Sequence, residues 1–359
     1  MPNAGIRLLV RGTNWIGDSI MTLPALHELR RHQPEARIAL MVRRWVRALF
    51  EGLECIDELV ECDQAGSQFT RLLDNTRELR KGRYDAALLL PNAIAPALQA
   101  ACAGIPRRMG YATDARNWLL TRSTRRSPRL RGRHQCYHYL ALLHQLGLSP
   151  VDYLADPEFI PNASMPLNES ERREAEITCR RFQLDLSRPL ISLSGGAHYG
   201  SAKRWFPERF AEVADALVES HQVQVALIGS GGEADLATKI AGFMRHPPIL
   251  LAGKTDLREL KHLLGQSNLL ITNDSGPMHL AAALGTPSVA VFGSTDAIAT
   301  APLGRNARVI RKEVACSPCL LRECPVDLRC FASVCSEEVI AAAREQLNGA
   351  DKTNPSEQH

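Results

Sequence analysis

The feature that most limits what this chain can fold into is a repeated alternation: short apolar runs of strand length, each followed by a stretch with helical spacing, in two successive series. The first series runs "IRLLV" (6–10), "LPALHELRRH" (23–32), "RIALMV" (37–42) and "YDAALLL" (84–90). The second runs "PLISLSG" (189–195), "PERFAEVADALVES" (207–220), "VQVALIG" (223–229), "DLRELKHLLGQ" (256–266), "LLIT" (269–272), "HLAAALG" (279–285) and "SVAVFG" (288–293). Apolar strands separated by helical patterns predict β-α-β units around a parallel sheet. At 359 residues the chain is about twice the common size of one domain. The predicted organisation is two doubly wound α/β domains, 1–175 and 186–335, joined near 165–188, with a closing helix over 336–348 and a disordered polar tail over 349–359.

In open α/β sheets ligands collect where strands end and helices begin, so the breaks after the strands hold the functional information. In "LLITNDSGPMHLAAALG" (269–285) a strand stops at Asn273, small polar residues make the turn, Pro277 suits a first helical turn and Gly285 ends the helix. Such a helix start offers free N–H groups and a positive dipole end to a phosphate. The competing reading is that Asp274 or Ser275 simply caps the helix. A second break, "SGGAHYGSAKRWFPERF", ends in Lys203 and Arg204, and a lysine there would neutralise a phosphate, unless the pair is ordinary surface. A third, "IGSGGEADLA" (228–237), reads nominally as a dinucleotide turn through Gly229, Gly231 and Ala234. Lys254 stands where that fold would carry its ribose-binding acid, which disfavours a nicotinamide-dependent oxidoreductase. In the first domain, "VRGTNWIGDSIMTLPAL" places Asp18 just after the first strand. It is a candidate general base, or else a first-turn helix aspartate.

Charge is uneven. The stretch 107–133 holds nine arginines and one acid, Asp114, and seeks an anionic partner such as a phosphorylated lipid or a membrane surface, if it is not a solvated loop. No aromatic-interleaved RNA motif, zinc-finger spacing or heptad accompanies it, so nucleic acid is not an expected partner. No membrane-spanning run and no signal-peptide core stand out, and ten scattered cysteines are no disulfide scaffold; a cytoplasmic location is expected.

Taken together, "GTNWIGDSIMTLPALHELRR", "PNAIAPALQAACAGIPRRMGY", "GGAHYGSAKRWFPERFAEVADAL", "TNDSGPMHLAAALGTPSVAVFGST" and "CSPCLLRECPVDLRCF" resemble the ADP-heptose:lipopolysaccharide heptosyltransferases, in particular the heptosyltransferase II branch of glycosyltransferase family nine. The resemblance covers about residues 5–345. It implies a GT-B fold, two Rossmann-like domains facing across a cleft, with acceptor on the first and ADP-heptose on the second. It also implies inverting transfer of heptose to the heptosyl-Kdo-lipid A inner core of lipopolysaccharide, with no metal or other cofactor. Carried over residue by residue, the base falls on Asp18, the phosphate-binding lysine on Lys203, and the donor motif on Asp274, Ser275, Gly276 and His279. Thr255 and Glu233 fall on the adenosine side. Arg11, Asn14, Arg107 and Arg108 become acceptor-binding candidates, and the arginine-rich stretch gains a role at the anionic inner leaflet, making the enzyme peripherally membrane-associated. Two departures stand out: "PNAIAPAL" replaces a segment that commonly carries serine and a basic residue, and His198 replaces an acidic residue. A heptosyltransferase with another acceptor and a non-catalytic anion-binding protein remain as alternatives. Cys316, Cys319, Cys324 and Cys330, with Cys335 beyond them, are either reduced thiols in a loop or, as an alternative, four zinc ligands.

Overall fold

The computed structural model describes residues 5–62 and 65–350. The chain divides into two compact units, residues 1–163 and 164–359. In the first, strands β1 (Arg7–Arg11), β2 (Arg37–Arg43), β3 (Glu58–Cys62), β4 (Ala86–Leu89), β5 (Arg107–Tyr111) and β6 (Arg122–Thr124) form one sheet in the order β3-β2-β1-β4-β5-β6. In the second, β7 (Leu190–Ser194), β8 (Gln224–Leu227), β9 (Ile249–Leu250), β10 (Leu269–Asn273), β11 (Ser288–Val291) and β12 (Ala307–Ile310) are ordered β12-β11-β10-β7-β8-β9. Every pairing is parallel. Both sheets therefore have the same doubly wound order, read 3-2-1-4-5-6 within each unit, which is the Rossmann arrangement.

The order reverses between β1 and β4 in the first sheet and between β7 and β10 in the second. Connections leave these neighbouring strands toward opposite faces of the sheet, so a crevice opens beyond their carboxyl ends. Central strands are buried along nearly their whole length, as LISLS of β7 and LLITN of β10 are, because helices cover both faces. In the second unit Ile191, Leu193, Phe210, Val213 and Ile271 pack together around Trp205. Trp205 meets Phe210 edge-on at 5.1 Å between ring centroids, a favoured aromatic geometry. Pro207 starts the helix Pro207–His221, and in the helix Gly276–Leu284 Pro277 sits in the first turn while left-handed Gly285 ends it.

The boundary falls earlier than expected. The helix Glu169–Arg181, which straddles the expected limit of the first domain at residue 175, belongs wholly to the second unit. Its Glu171 pairs with the buried Lys261 at 2.6 Å, and Thr178 Oγ1 lies 3.2 Å from His262 Nδ1. A lysine that deep needs its carboxylate, which ties this helix to the helix Leu257–Gln266. The closing helix runs Ser336–Ala350, so it includes Gly349 and Ala350 from the segment expected as tail; residues 351–359 lie outside the described residues.

Candidate active site

In the second unit the carboxyl ends of β7 and β10 are laced together by Asn273. This last residue of β10 is fully buried. Its Nδ2 donates to Gly195 O at 2.7 Å, and its Oδ1 accepts from Trp205 N at 3.0 Å. The loop after β7 is thereby held against β10, and this brings the turn Ser201–Lys203 to the helix start. Lys203 Nζ stands 2.7 Å from Asp274 Oδ2, with side chains only 15% and 6% exposed. Ser275 is the N-cap residue of the helix Gly276–Leu284, yet its hydroxyl makes no cap bond and instead meets Thr272 Oγ1 at 2.9 Å. Neither Asp274 nor Ser275 is spent on capping, so the capping alternative fails for both. The result is an uncapped helix start beside a half-buried lysine, a pairing suited to an anion. Gly276 opens the helix and His279 is buried within it.

The loops after β8 and β9 flank this point. Glu233 Oε2 accepts from Ser230 N and Ser230 Oγ, each at 2.8 Å. Glu233 also lies over Gly196, where a Cβ would sit 2.0 Å from Oε1; only glycine leaves room for this approach. A carboxylate held across the Gly229–Gly231 turn repels a pyrophosphate and suits sugar hydroxyls instead. The dinucleotide reading of Gly229, Gly231 and Ala234 therefore lacks its phosphate site. Gly253, just beyond β9, touches the same turn, its N–H donating to Gly229 O at 2.9 Å. Half-buried Thr255 follows it, directly before Asp256, which caps the next helix.

In the first unit Asp18 sits in the first turn of the helix Ile16–Met21, beyond the carboxyl end of β1. Its Oδ1 accepts from Gln135 Nε2 at 3.1 Å, and the same amide nitrogen lies 3.3 Å from Tyr139 Oη. Burial drives the Tyr139 phenol pKa far up and the Asp18 charge adds to it. The amide donor holds the Asp18 carboxylate in one orientation. Nearby, the exposed Arg126 guanidinium lies 5.9 Å from the Tyr111 ring. Burial and then the Arg126 charge hold the His138 pKa below its ordinary value. Trp15 and Trp45, both largely exposed, meet edge-on at 5.8 Å.

Arg11, Arg107 and Arg108 of the acceptor candidates are placed unfavourably for that role. Arg11 is buried; its guanidinium donates to Gly12 O, to Met41 O at 3.1 Å and to Asn14 Oδ1 at 3.1 Å. It thus braces the loop before Asp18, and Asn14 is its acceptor. Arg107 and Arg108 begin β5. All strands of the sheet are parallel, so these two lie at the amino edge, opposite the edge that carries Asp18. Arg108 caps carbonyls there, its Nε donating to Leu119 O and its Nη1 to Ile105 O, both at 2.6 Å. Arg116 is likewise interior, donating to Tyr111 O at 3.1 Å and Ala93 O at 3.1 Å, and burial lowers its pKa to about 10. Arg125, Arg126 and Arg131 remain exposed. Gln135 and Asn273 were missed by sequence reasoning: Asn273 borders Asp274 and was within reach, whereas nothing local marks Gln135.

For the cysteine-rich segment, among the described residues no group of three or more His, Cys, Asp or Glu is arranged to hold a metal ion. Cys330 is buried while Cys316 is exposed, because Cys330 and Phe331 join the core of the second unit.

Two Rossmann-like units, with a carboxylate at the switch point of the first sheet and an anion-suited lysine and helix start at that of the second, define the GT-B class of glycosyltransferases. Comparison with known proteins narrows the class. The model for "Glycosyltransferase family 9 (heptosyltransferase)" matches residues 72–329. Lipopolysaccharide heptosyltransferase 2 of Escherichia coli (strain K12) is 32% identical over 313 residues, 85% of this chain and 88% of that protein. The solved structure of E. coli ADP-heptose lps heptosyltransferase II superposes with a TM-score of 0.82 at 28% identity, covering 96% of this chain and all of that one. A glycosyl transferase family 9 structure from Veillonella parvula follows at 0.80 and 26%, covering 96% and 97%. The chain belongs to glycosyltransferase family 9, the heptosyltransferases.

Proposed function

We propose that this enzyme transfers heptose from ADP-heptose to the heptosyl-Kdo-lipid A inner core of lipopolysaccharide, with inversion at the anomeric carbon. The observation that carries the donor half is the Lys203–Asp274 pair beside the uncapped helix start. The diphosphate takes the helix N–H groups and Lys203, while Glu233 and Thr255 serve the adenosine side. Asp274, Ser275, Gly276 and His279 form the remainder of the donor site. The curated relative is named a lipopolysaccharide heptosyltransferase and the solved structure an ADP-heptose lps heptosyltransferase, which supports the choice of sugar.

The chemistry is a single displacement. The Asp18 carboxylate takes the proton of an acceptor hydroxyl, the oxygen bonds to the anomeric carbon, and the bond to the diphosphate breaks with its electrons leaving on ADP. Charge grows on the departing phosphate, so Lys203 and the helix start contribute most as that bond breaks. No step calls on a metal. The exposed arginines of the 122–133 stretch hold phosphate or carboxylate groups of the acceptor at an anionic leaflet; among the described residues no helix is long and apolar enough to cross a membrane.

Calorimetry with ADP and with NAD, followed by transfer assays on purified inner-core acceptor, tests the reading. ADP binds and NAD does not, and an inverted heptosyl linkage forms. Binding of NAD without ADP would overturn the donor, and a linkage of retained configuration would overturn the single displacement.

A further inference from the structure

The cysteine-rich segment is pinned along the carboxyl edge of the second sheet. Ser317 Oγ donates to Gly293 O at 2.6 Å, Leu320 N to Ser294 O at 2.8 Å, and Tyr199 Oη to Leu320 O at 2.8 Å. Ala202 N donates to Arg322 O at 3.0 Å. A Cβ at Gly200 would fall 2.1 Å from that same Arg322 oxygen, so glycine is what lets the two loops touch. The segment thus bridges the loop carrying Lys203 and the end of β11, and it delivers one exposed cation to that place. The Arg322 guanidinium lies 5.3 Å from the Tyr199 ring, and Lys203 Nζ lies 5.7 Å from the same ring.

Charge balance gives this placement its meaning. Lys203 is already matched by Asp274, so the pair by itself contributes no net positive charge, whereas a nucleoside diphosphate brings more than one negative charge. A second, independent sign of a polar ligand lies at the same edge. Ser294 Oγ and Thr295 Oγ1, just past β11, are buried with no hydrogen-bond partner among the described residues, and Ser294 is only 2% exposed. Buried hydroxyls left unsatisfied are costly, and phosphate oxygens would satisfy them. We propose that Arg322 is a second cation for the donor diphosphate, with Ser294 and Thr295 as hydroxyl donors beside it, so that the cysteine-rich loop forms a wall of the donor site. The inference rests on the ADP reading above.

Binding of ADP and of adenosine to wild type, Arg322→Gln and Arg322→Lys, measured by calorimetry at two salt concentrations, tests it. The loop is held through the backbone of residue 322, so neither substitution removes its anchor, and unliganded melting temperatures should match. Arg322→Gln should weaken ADP by roughly tenfold or more, the scale of a lost charge-assisted hydrogen bond, with a smaller salt dependence and unchanged adenosine affinity. Arg322→Lys should recover most of the loss. Unchanged ADP affinity in Arg322→Gln, or an equal loss for adenosine, would overturn the proposal while leaving the donor reading intact. Failure of the wild type to bind ADP would overturn both.

Discussion

Lys203 Nζ and Asp274 Oδ2 stand 2.7 Å apart at the point where the second sheet reverses its strand order, so each is the other's counterion until a ligand arrives. Removing the lysine leaves a carboxylate that is 6% exposed without its cation, and breaking such a pair typically costs about 3–5 kcal/mol when it is fully buried. Lys203→Ala should therefore lower both the melting temperature and ADP affinity, with a fall in kcat as well. Asp274→Asn leaves the lysine unmatched but also removes a group of the donor site, so it should weaken ADP less than Lys203→Ala does. Calorimetry on the two variants decides: equal loss of ADP in both would mean that the lysine charge adds nothing beyond the pair.

Asp18 and Gln135 supply a separate pair of expectations. Asp18→Asn keeps the side chain's size but removes the base, so ADP affinity should hold while kcat falls by ~10²–10⁴. Gln135→Ala removes the amide that donates to Asp18 at 3.1 Å. Without that donor the carboxylate loses the bond that orients it, so the single-turnover rate should fall with ADP affinity unchanged. An unchanged rate would leave Gln135 no part in positioning Asp18.

The arginines of the 107–133 stretch differ in what already pairs with them. Arg125, Arg126 and Arg131 are exposed, whereas Arg129 already pairs with Asp152 at 2.8 Å. Replacing the first three with serine should raise the acceptor KM steeply, weaken binding to anionic vesicles and flatten its salt dependence. Arg129→Ser should do much less. Acceptor KM unchanged in the triple variant would return the stretch to a solvated surface.

Stability should fall in mild acid for a definable reason. His262 is 2% exposed, and burial, only partly opposed by Glu174 and Glu171, holds its pKa below the ordinary 6.5. Lys261 and Arg258 on its own helix add to the lowering. The fold therefore favours the neutral ring. That contribution is complete above about pH 6.5 and is lost as pH falls through the lower, folded value. Melting temperatures from pH 8 to 5 should decline, and His262→Gln should decline less over that window; parallel curves would place the acid sensitivity elsewhere.

Much of the fold was legible because it is written at short range. Buried central strands such as "LISLS" and "LLITN" are continuous apolar runs, and a parallel sheet requires them. Strands β3, β5, β6 and β12 escaped; β6, for one, is three residues with two exposed, too short to leave a period to detect. Asp18, Lys203 and Asp274 were legible because each follows a strand, and the doubly wound order then puts such turns at the switch points. What the tertiary structure alone decided is long-range. Gln135 meets Asp18 across 117 positions, Arg11 turns inward, and the helix Glu169–Arg181 joins the second unit through Glu171 and Lys261. Arg107 and Arg108 follow the same rule, since parallel register sends the start of β5 to the amino edge and its end to the carboxyl edge. Which side of a sheet a residue reaches, and which distant amide meets a carboxylate, depend on register and packing between segments far apart in the chain, and local pattern holds no record of either.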